Sequence, residues 1–307
     1  MKPAVGATNA AGPRVGKVRA LDRVLLLKPR VMSLVVLTGA VGYLLAPGPF
    51  DALNFLAAIC AMAGAAGACG ALNMWWDADI DAQMARTAAR PIPRGAVAPR
   101  EALVLGLALA LLSIVAMTAR VNALSGALLA LTVVIYIPFY TMGLKRRTPM
   151  NIVWGGAAGA LPPAIGWAAA GGELGLAPVA LFLLIFFWTP PHFWALALRR
   201  SGDYARVGVP MLPNVAGPAR TCRQIVIYSL ALAAASFLPL VIAKLGALYA
   251  LAAAGLNAVF LWKALRLYGL RDGPVLARDK AALNLFGYSV GYLFALFAIM
   301  LLHALVF

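Results

Sequence analysis

The chain is predicted to be an all-α integral membrane protein: nine transmembrane helices around a central cavity, capped by cytoplasmic loops. Three observations lead to the spans and their sidedness. First, 63% of its 307 residues are hydrophobic and only 12% are charged, and the mean hydropathy is +0.88, where soluble domains carry about 25% charged residues. Second, the apolar residues gather into runs too long and too numerous for the buried helices of a soluble core. Third, when the segments between runs are assigned to alternate sides, 24 of the 26 lysines and arginines fall on one side. Only Arg120 and Lys244 fall on the other, a strong positive-inside asymmetry. That split explains the net charge of +16 without nucleic acid as a partner. It sets the N-terminus in the cytoplasm and the C-terminus outside.

Residues 1–24 are basic and rich in Gly, Ala and Pro, with no apolar core of a signal peptide. They read as a flexible tail ahead of a single domain, 25–307. The spans follow at about 31–47, 52–76, 101–119, 121–143, 151–170, 177–198, 222–243, 245–265 and 283–306. Lys28 and Arg30 flank Pro29 before the first span and read either as topology anchors or as part of the basic rim of the site. The second span continues through Asn73 and Asp77 to Asp81, 30 residues or roughly 45 Å of helix, longer than a hydrocarbon core of about 30 Å. It should carry its carboxylates into the headgroup region. Outer connections such as 46–51 and 171–175 are short, so any chemistry belongs to the inner loops. Cys60, Cys69 and Cys222 lie in or beside spans with no metal-ligand spacing, as small packing residues do. Inner loops 77–100 and 199–221 each follow an aromatic span end and each contain a Pro-rich turn, 91–93 and 210–213. That weak duplication suggests two four-helix halves and a ninth helix.

The most informative run is Asn73-Met-Trp-Trp-Asp77-Ala-Asp79-Ile-Asp81. In a continuing helix Asn73, Asp77 and Asp81 share one face, where like charges at i, i+4 repel unless a cation lies between them. Carboxylates and an amide oxygen are hard ligands suited to Mg²⁺, which typically binds one or two carboxylates plus substrate phosphates. Asp77 and Asp81 are therefore the candidate metal ligands. Arg86, Arg90 and Arg94 follow as donors to phosphate oxygens. A polar Asn inside an apolar span also needs a reason.

N-x-x-x-D-x-x-x-D followed by R-x-x-R-P-x-P-x-G, here over 73–95, resembles the first signature of the UbiA-type intramembrane prenyltransferases. Segments 27–30, 144–151, 155–163, 189–198 and 203–213 resemble the haem-directed branch of that superfamily, so the likeness covers about residues 25 to 300. The resemblance implies a Mg²⁺-dependent transfer of a farnesyl group from farnesyl diphosphate to a vinyl group of haem b (protohaem IX) in a bacterial inner membrane. Water addition would complete the product. It implies catalytic roles for Asn73, Asp77, Asp81, Asp203 and Tyr204. Arg86, Arg90, Arg94, Lys145, Arg146, Asn151, His192 and Arg199 are the substrate-binding residues it implies. Haem A synthase or oxidase assembly factors would be further partners. Many superfamily members carry a second D-x-x-x-D, whereas the matching loop here offers Asp203 beside Tyr204, which argues against a symmetrical second metal site.

Other readings of these residues stay open. Lys145-Arg-Arg147 also suits a positive-inside anchor, Asn151 a helix cap, and His192, after Pro190-Pro191, a structural residue satisfying carbonyls freed by a kink. An intramembrane histidine could instead bind haem iron. His303, near the outer end, reads as structural. A prenyltransferase with a quinone or chlorophyll precursor as acceptor is the alternative enzyme. A transporter would need charges near the bilayer midplane, and here they sit at span ends.

Overall fold

The computed structural model describes residues 20–242 and 245–306. Most of the expected tail, Lys244 and Phe307 lie outside the described residues, as does the side chain of Arg30. All regular structure among the described residues is helical: α1 (Ala20–Leu26), α2 (Pro29–Leu45), α3 (Ala52–Trp76), α4 (Ala78–Gln83), α5 (Pro99–Arg120) and α6 (Ala123–Val134), which runs into a π-helical segment Ile135–Leu144. Then come α7 (Asn151–Ala160), α8 (Pro162–Ala169), α9 (Leu176–Arg199), α10 (Ser201–Arg206), α11 (Leu212–Ile242), α12 (Ala247–Gly269) and α13 (Val275–Val306).

Seven of these stretches are long and apolar enough to cross a membrane, counting α6 with its π segment as one. The other two expected spans differ from a simple helix. The first is the 17-residue α2. The fifth is divided at Leu161, because Pro162 and Pro163 cannot donate to the preceding turn and so open a new helix, α8. The fourth span keeps its length but widens around Pro138 into the π segment, one of the ways a spanning helix accommodates a missing donor. In α11 the helix is interrupted at Gly217, whose φ of 78° only glycine adopts without strain, just before Pro218.

Exposed Leu, Val, Ile and Phe side chains cover the flanks of α5, α6, α11 and α12, as a bilayer permits. The interior helices are α3 and α9, whose apolar windows are 56% and 61% buried against 17% for Ala123–Leu144. Small residues permit the closest crossings. A Cβ on Gly166 would lie 1.9 Å from the Gly39 carbonyl oxygen, and one on Gly42 would lie 2.0 Å from that of Pro163, so α2 and α8 touch backbone to backbone. On the far side a buried polar knot ties α11, α12 and α13. Tyr292 donates to Asn257 Oδ1 at 2.8 Å, Asn257 Nδ2 donates to Ser236 Oγ at 2.7 Å, and Tyr249 donates to the Ser236 carbonyl at 2.7 Å. Every partner is satisfied within the knot, as groups cut off from water require.

Candidate active site

The site is assembled from the ends of α3 and the π segment and from the turn before α2. Although α3 ends at Trp76, the chain does not leave its course. Asp77 N–H donates to the Asn73 carbonyl and Asp81 N–H to the Asp77 carbonyl, at 2.9 and 2.8 Å. The i, i+4, i+8 succession therefore persists through the break into α4. Asp77 is fully buried and Asp81 and Asn73 nearly so.

Each carboxylate faces a cation from elsewhere in the chain. Lys145 Nζ lies 2.5 Å from Asp77 Oδ2, and Arg90 Nη1 lies 2.5 Å from Asp81 Oδ2. Arg146 grips both oxygens of Asp79 at 2.7 Å and approaches Asp77 Oδ1 to 3.6 Å. That bidentate bond holds the Asp79 carboxyl below the usual carboxylate range and raises the Arg146 guanidinium. Asn73 Nδ2 donates to Asp77 Oδ2 at 2.8 Å, leaving Asp77 Oδ1 buried without a hydrogen-bond donor. An orphaned buried acceptor costs about 1–3 kcal/mol. A ligand that fills it is favoured.

Lys28 belongs to this cluster, which agrees with the rim reading of its sequence position rather than with an anchor alone. Residues 26 and 27 cross α3 where it is bare: a Cβ on Gly70 would meet the Leu26 carbonyl oxygen at 2.9 Å, and one on Gly67 would meet Leu27 at 3.3 Å. The chain then turns sharply, with Lys28 at φ 53°, before Pro29 starts α2. This turn brings Lys28 Nζ to 2.7 Å from Asn73 Oδ1. Burial, reinforced by Arg90 and Lys145, pushes its ammonium down to about 7. Three carboxylates, Asp77, Asp79 and Asp81, thus stand among four basic side chains, Lys28, Arg90, Lys145 and Arg146.

The loop 84–98 closes over one side. Thr87 donates to the Asp81 carbonyl at 2.9 Å, and Ala96 N–H to the Pro91 carbonyl at 2.9 Å, with Gly95 at φ 75° completing the turn. Ile92 and Val97 bury against Leu26, Ala71, Met74 and Ala102 beneath it. This folding separates the three arginines. Arg90 reaches Asp81, Arg94 pairs with Asp22 on α1, and Arg86 is exposed with no pairing among the described residues.

The remaining expected residues make no hydrogen bond or ion pair with these carboxylates among the described residues. Asp203 pairs with Arg206 at 3.1 Å and Arg200 at 3.7 Å within its own loop, Tyr204 packs on the main core, and Arg199 reaches Asp279 at 3.7 Å. Asn151 is the first residue of α7. Its amide donates back to the Thr148 carbonyl at 2.6 Å, and its Oδ1 is buried without a partner. His192 is stacked between Trp188 and Phe286, ring centroids 4.3 and 4.5 Å away, with Nδ1 2.6 Å from Ser289 Oγ. Pro190 and Pro191 stand within the continuous α9, and Trp188 Nε1 donates to the Ser289 carbonyl at 2.8 Å, which locks α9 to α13 at this level.

Buried carboxylates at the end of an interior helix, ringed by bases in a helical fold with membrane-spanning segments, form a polar site suited to an intramembrane enzyme. The match of residues 35–290 to the UbiA prenyltransferase family model shows the family: the chain belongs to it and is a prenyltransferase. It is 55% identical to the protoheme IX farnesyltransferase of Parvibaculum lavamentivorans, the alignment covering 96% of this chain and 92% of that one. It is 51% identical to the protein of the same name from Rhodopseudomonas palustris strain BisB18, over 96% and 94%. Among solved structures the fold is similar to a UbiA homolog from Aeropyrum pernix K1, with TM-score 0.70, 22% identity and 91% of this chain and 98% of that one covered. A UbiA homolog from Archaeoglobus fulgidus bound to DMAPP and Mg²⁺ matches with TM-score 0.65 and 16% identity, over 89% and 99%.

Proposed function

We propose that the chain transfers a farnesyl group from farnesyl diphosphate to a vinyl group of haem b, giving haem O. The observation that carries the chemistry is the buried Asn73–Asp77–Asp81 face with its orphaned oxygen and its ring of Lys28, Arg90, Lys145 and Arg146. The acceptor rests on the similarity to protoheme IX farnesyltransferases at 51–55% identity over nearly the whole chain.

Hard oxygen donors, one of them without a hydrogen-bond donor, fit Mg²⁺. Asp77 and Asp81 would hold it, and when bound it supplies charge neutralisation to the leaving diphosphate. The protein's own part is electrostatic. Lys28 turns from the Asn73 amide oxygen, and Lys145 and Arg146 from the carboxylates, towards the diphosphate oxygens as negative charge gathers there, and Arg90 orients Asp81. Asn73, held by Lys28 on one side and donating to Asp77 on the other, fixes the carboxylate's angle. Departure of diphosphate leaves an allylic cation in an apolar cavity, where aromatic faces stabilise it. The haem vinyl carbon attacks it, and water adds to the cation left beside the porphyrin, releasing a proton. The product carries one farnesyl and one hydroxyl group more than haem b.

His192 is the proposed contact to haem. Ser289 Oγ donates to the Phe286 carbonyl at 2.6 Å, so the proton between Ser289 and His192 belongs to Nδ1. Nε2 then keeps the free lone pair that an iron ion or a protonated propionate requires. Mass spectrometry of haem recovered after incubation with farnesyl diphosphate and Mg²⁺ should show the gain of both groups. Diphosphate release without any change in haem mass would transfer the assignment to another acceptor.

The orientation is proposed with it. The basic side, carrying the site, faces the cytoplasm of a bacterial inner membrane, and the nine apolar segments put the C-terminus in the periplasm. A reporter joined after the last residue should be active only as a periplasmic fusion. A cytoplasmic readout would mean that one of the two irregular segments, α2 or α7–α8, does not cross.

A further inference from the structure

Away from the carboxylates, α11 and α12 diverge at their basic ends and leave a cleft of about 520 Å³ lined by Arg220, Arg223, Gln224, Ile227, Tyr268 and Arg271. None of these residues belongs to the site described above. Arg271 is held in place by its neighbours. Its guanidinium lies 4.4 Å from the Tyr268 ring centroid, donates to the Tyr268 carbonyl at 3.2 Å, and has Asp272 at 3.1 Å. Arg220 and Arg223 are exposed and have no ion-pair partner among the described residues. Three guanidiniums therefore converge on one cleft, with Asp272 the one carboxylate paired to any of them among the described residues.

The cleft's position selects its occupant. Ile227, 45% exposed, forms part of the wall, and Leu230, Phe237 and Val241 continue its exposed face down α11. Spaced at 3, 10 and 14 residues from Ile227, they make one apolar stripe on a spanning helix. A ligand anionic at its head and apolar in its tail satisfies both parts, and a soluble anion satisfies only the first. We propose that this cleft binds the headgroup of an anionic glycerophospholipid of the phosphatidylglycerol class, with an acyl chain along the α11 stripe. Basic pockets between spanning helices commonly bind such headgroups. Arg271, stacked and bonded, is preorganised for the phosphate. Arg220 and Arg223 are free to close on it.

The test uses the full-length protein in detergent and reads lipid binding without turnover, so it stands or falls separately from the prenyl transfer. Native mass spectrometry with added phosphatidylglycerol should show a retained lipid, and phosphatidylcholine at the same concentration should not displace it. In the Arg220→Gln/Arg223→Gln double variant the affinity should fall about 30-fold, two surface charges being removed. The single variants should each lose about fivefold, which keeps the comparison usable if the double variant folds poorly. Inorganic phosphate at millimolar concentration should leave the lipid bound. Equal retention of phosphatidylcholine, displacement by inorganic phosphate, or unchanged affinity in the variants would each overturn the assignment.

Discussion

Replacing Asp77 by asparagine should lower turnover by about a thousandfold, the scale on which catalytic electrostatic groups are lost. Asp81→Asn should act in the same direction. In Asp77→Asn the buried carboxylate gives up its charge, and Lys145, 2.5 Å from Oδ2, loses its counter-ion. Breaking a buried pair also costs about 3–5 kcal/mol of stability, so a dead enzyme alone would not separate a metal ligand from a structural one. The separating measurement is Mg²⁺ dependence. Asp81→Asn releases Arg90 at the edge of the site, where it remains partly exposed, and should leave a folded protein. Its residual activity should need a Mg²⁺ concentration raised by an order of magnitude or more. Wild-type activity in both variants at limiting Mg²⁺ would remove these aspartates from the metal site, as would an unchanged Mg²⁺ requirement in a well-folded Asp81→Asn.

The carboxylate face was legible because it depends on periodicity. Asn73, Asp77 and Asp81 stay on one course even though α3 formally ends at Trp76, since the i+4 hydrogen bonds bridge the break. The apolar runs were legible for the same kind of reason, since they depend on composition and length. Their internal irregularities were less so. Pro162-Pro163 divides a span while Pro190-Pro191 leaves α9 running through, and the same dipeptide cannot announce which. Around the unbroken pair, α9 is held to α13 through Trp188 and Ser289.

The sequence leaves Lys28 undecided between a topology anchor and the rim of the site for a physical reason. A base ahead of a first span is already explained by membrane topology, so its charge carried no further information. What makes it a site residue is the bare Gly67–Gly70 stripe on α3, which lets residues 26–27 approach, and a left-handed turn that aims the side chain at Asn73. The arginines show the converse. Three of them spaced four apart looked equivalent, but the Pro91–Gly95 turn sends Arg94 to Asp22 and leaves only Arg90 at the carboxylates. The suspected duplication stops at a similar point. The first loop places its acids among bases from three separate segments, whereas Asp203 is neutralised by Arg200 and Arg206 of its own loop. A carboxylate already paired within one turn of chain has less reason to recruit a metal.

Removing the imidazole in His192→Ala should abolish or strongly weaken haem retention in the purified protein and shift the absorption bands of any haem that remains. Farnesyl diphosphate binding should be left largely intact, because His192 makes no hydrogen bond or ion pair with the carboxylate cluster. The alanine also opens a gap between Trp188 and Phe286, and that gap alone could disturb a nearby porphyrin. His192→Phe answers this, since it keeps an aromatic ring in the stack and removes only the nitrogens. If Nε2 is a ligand or a hydrogen-bond partner of haem, the phenylalanine variant should fail to hold haem about as fully as the alanine variant. If the ring serves packing, phenylalanine should rescue what alanine loses. Ser289→Ala supplies the third comparison. It frees Nδ1 from the partner that fixes its proton, 2.6 Å away, and so lets the tautomers interchange. A ligand role then predicts weaker haem binding with both aromatic neighbours still in place. Unchanged spectra and turnover in His192→Ala would show that the histidine only holds α9 against α13, and the haem contact would have to be sought elsewhere in the protein.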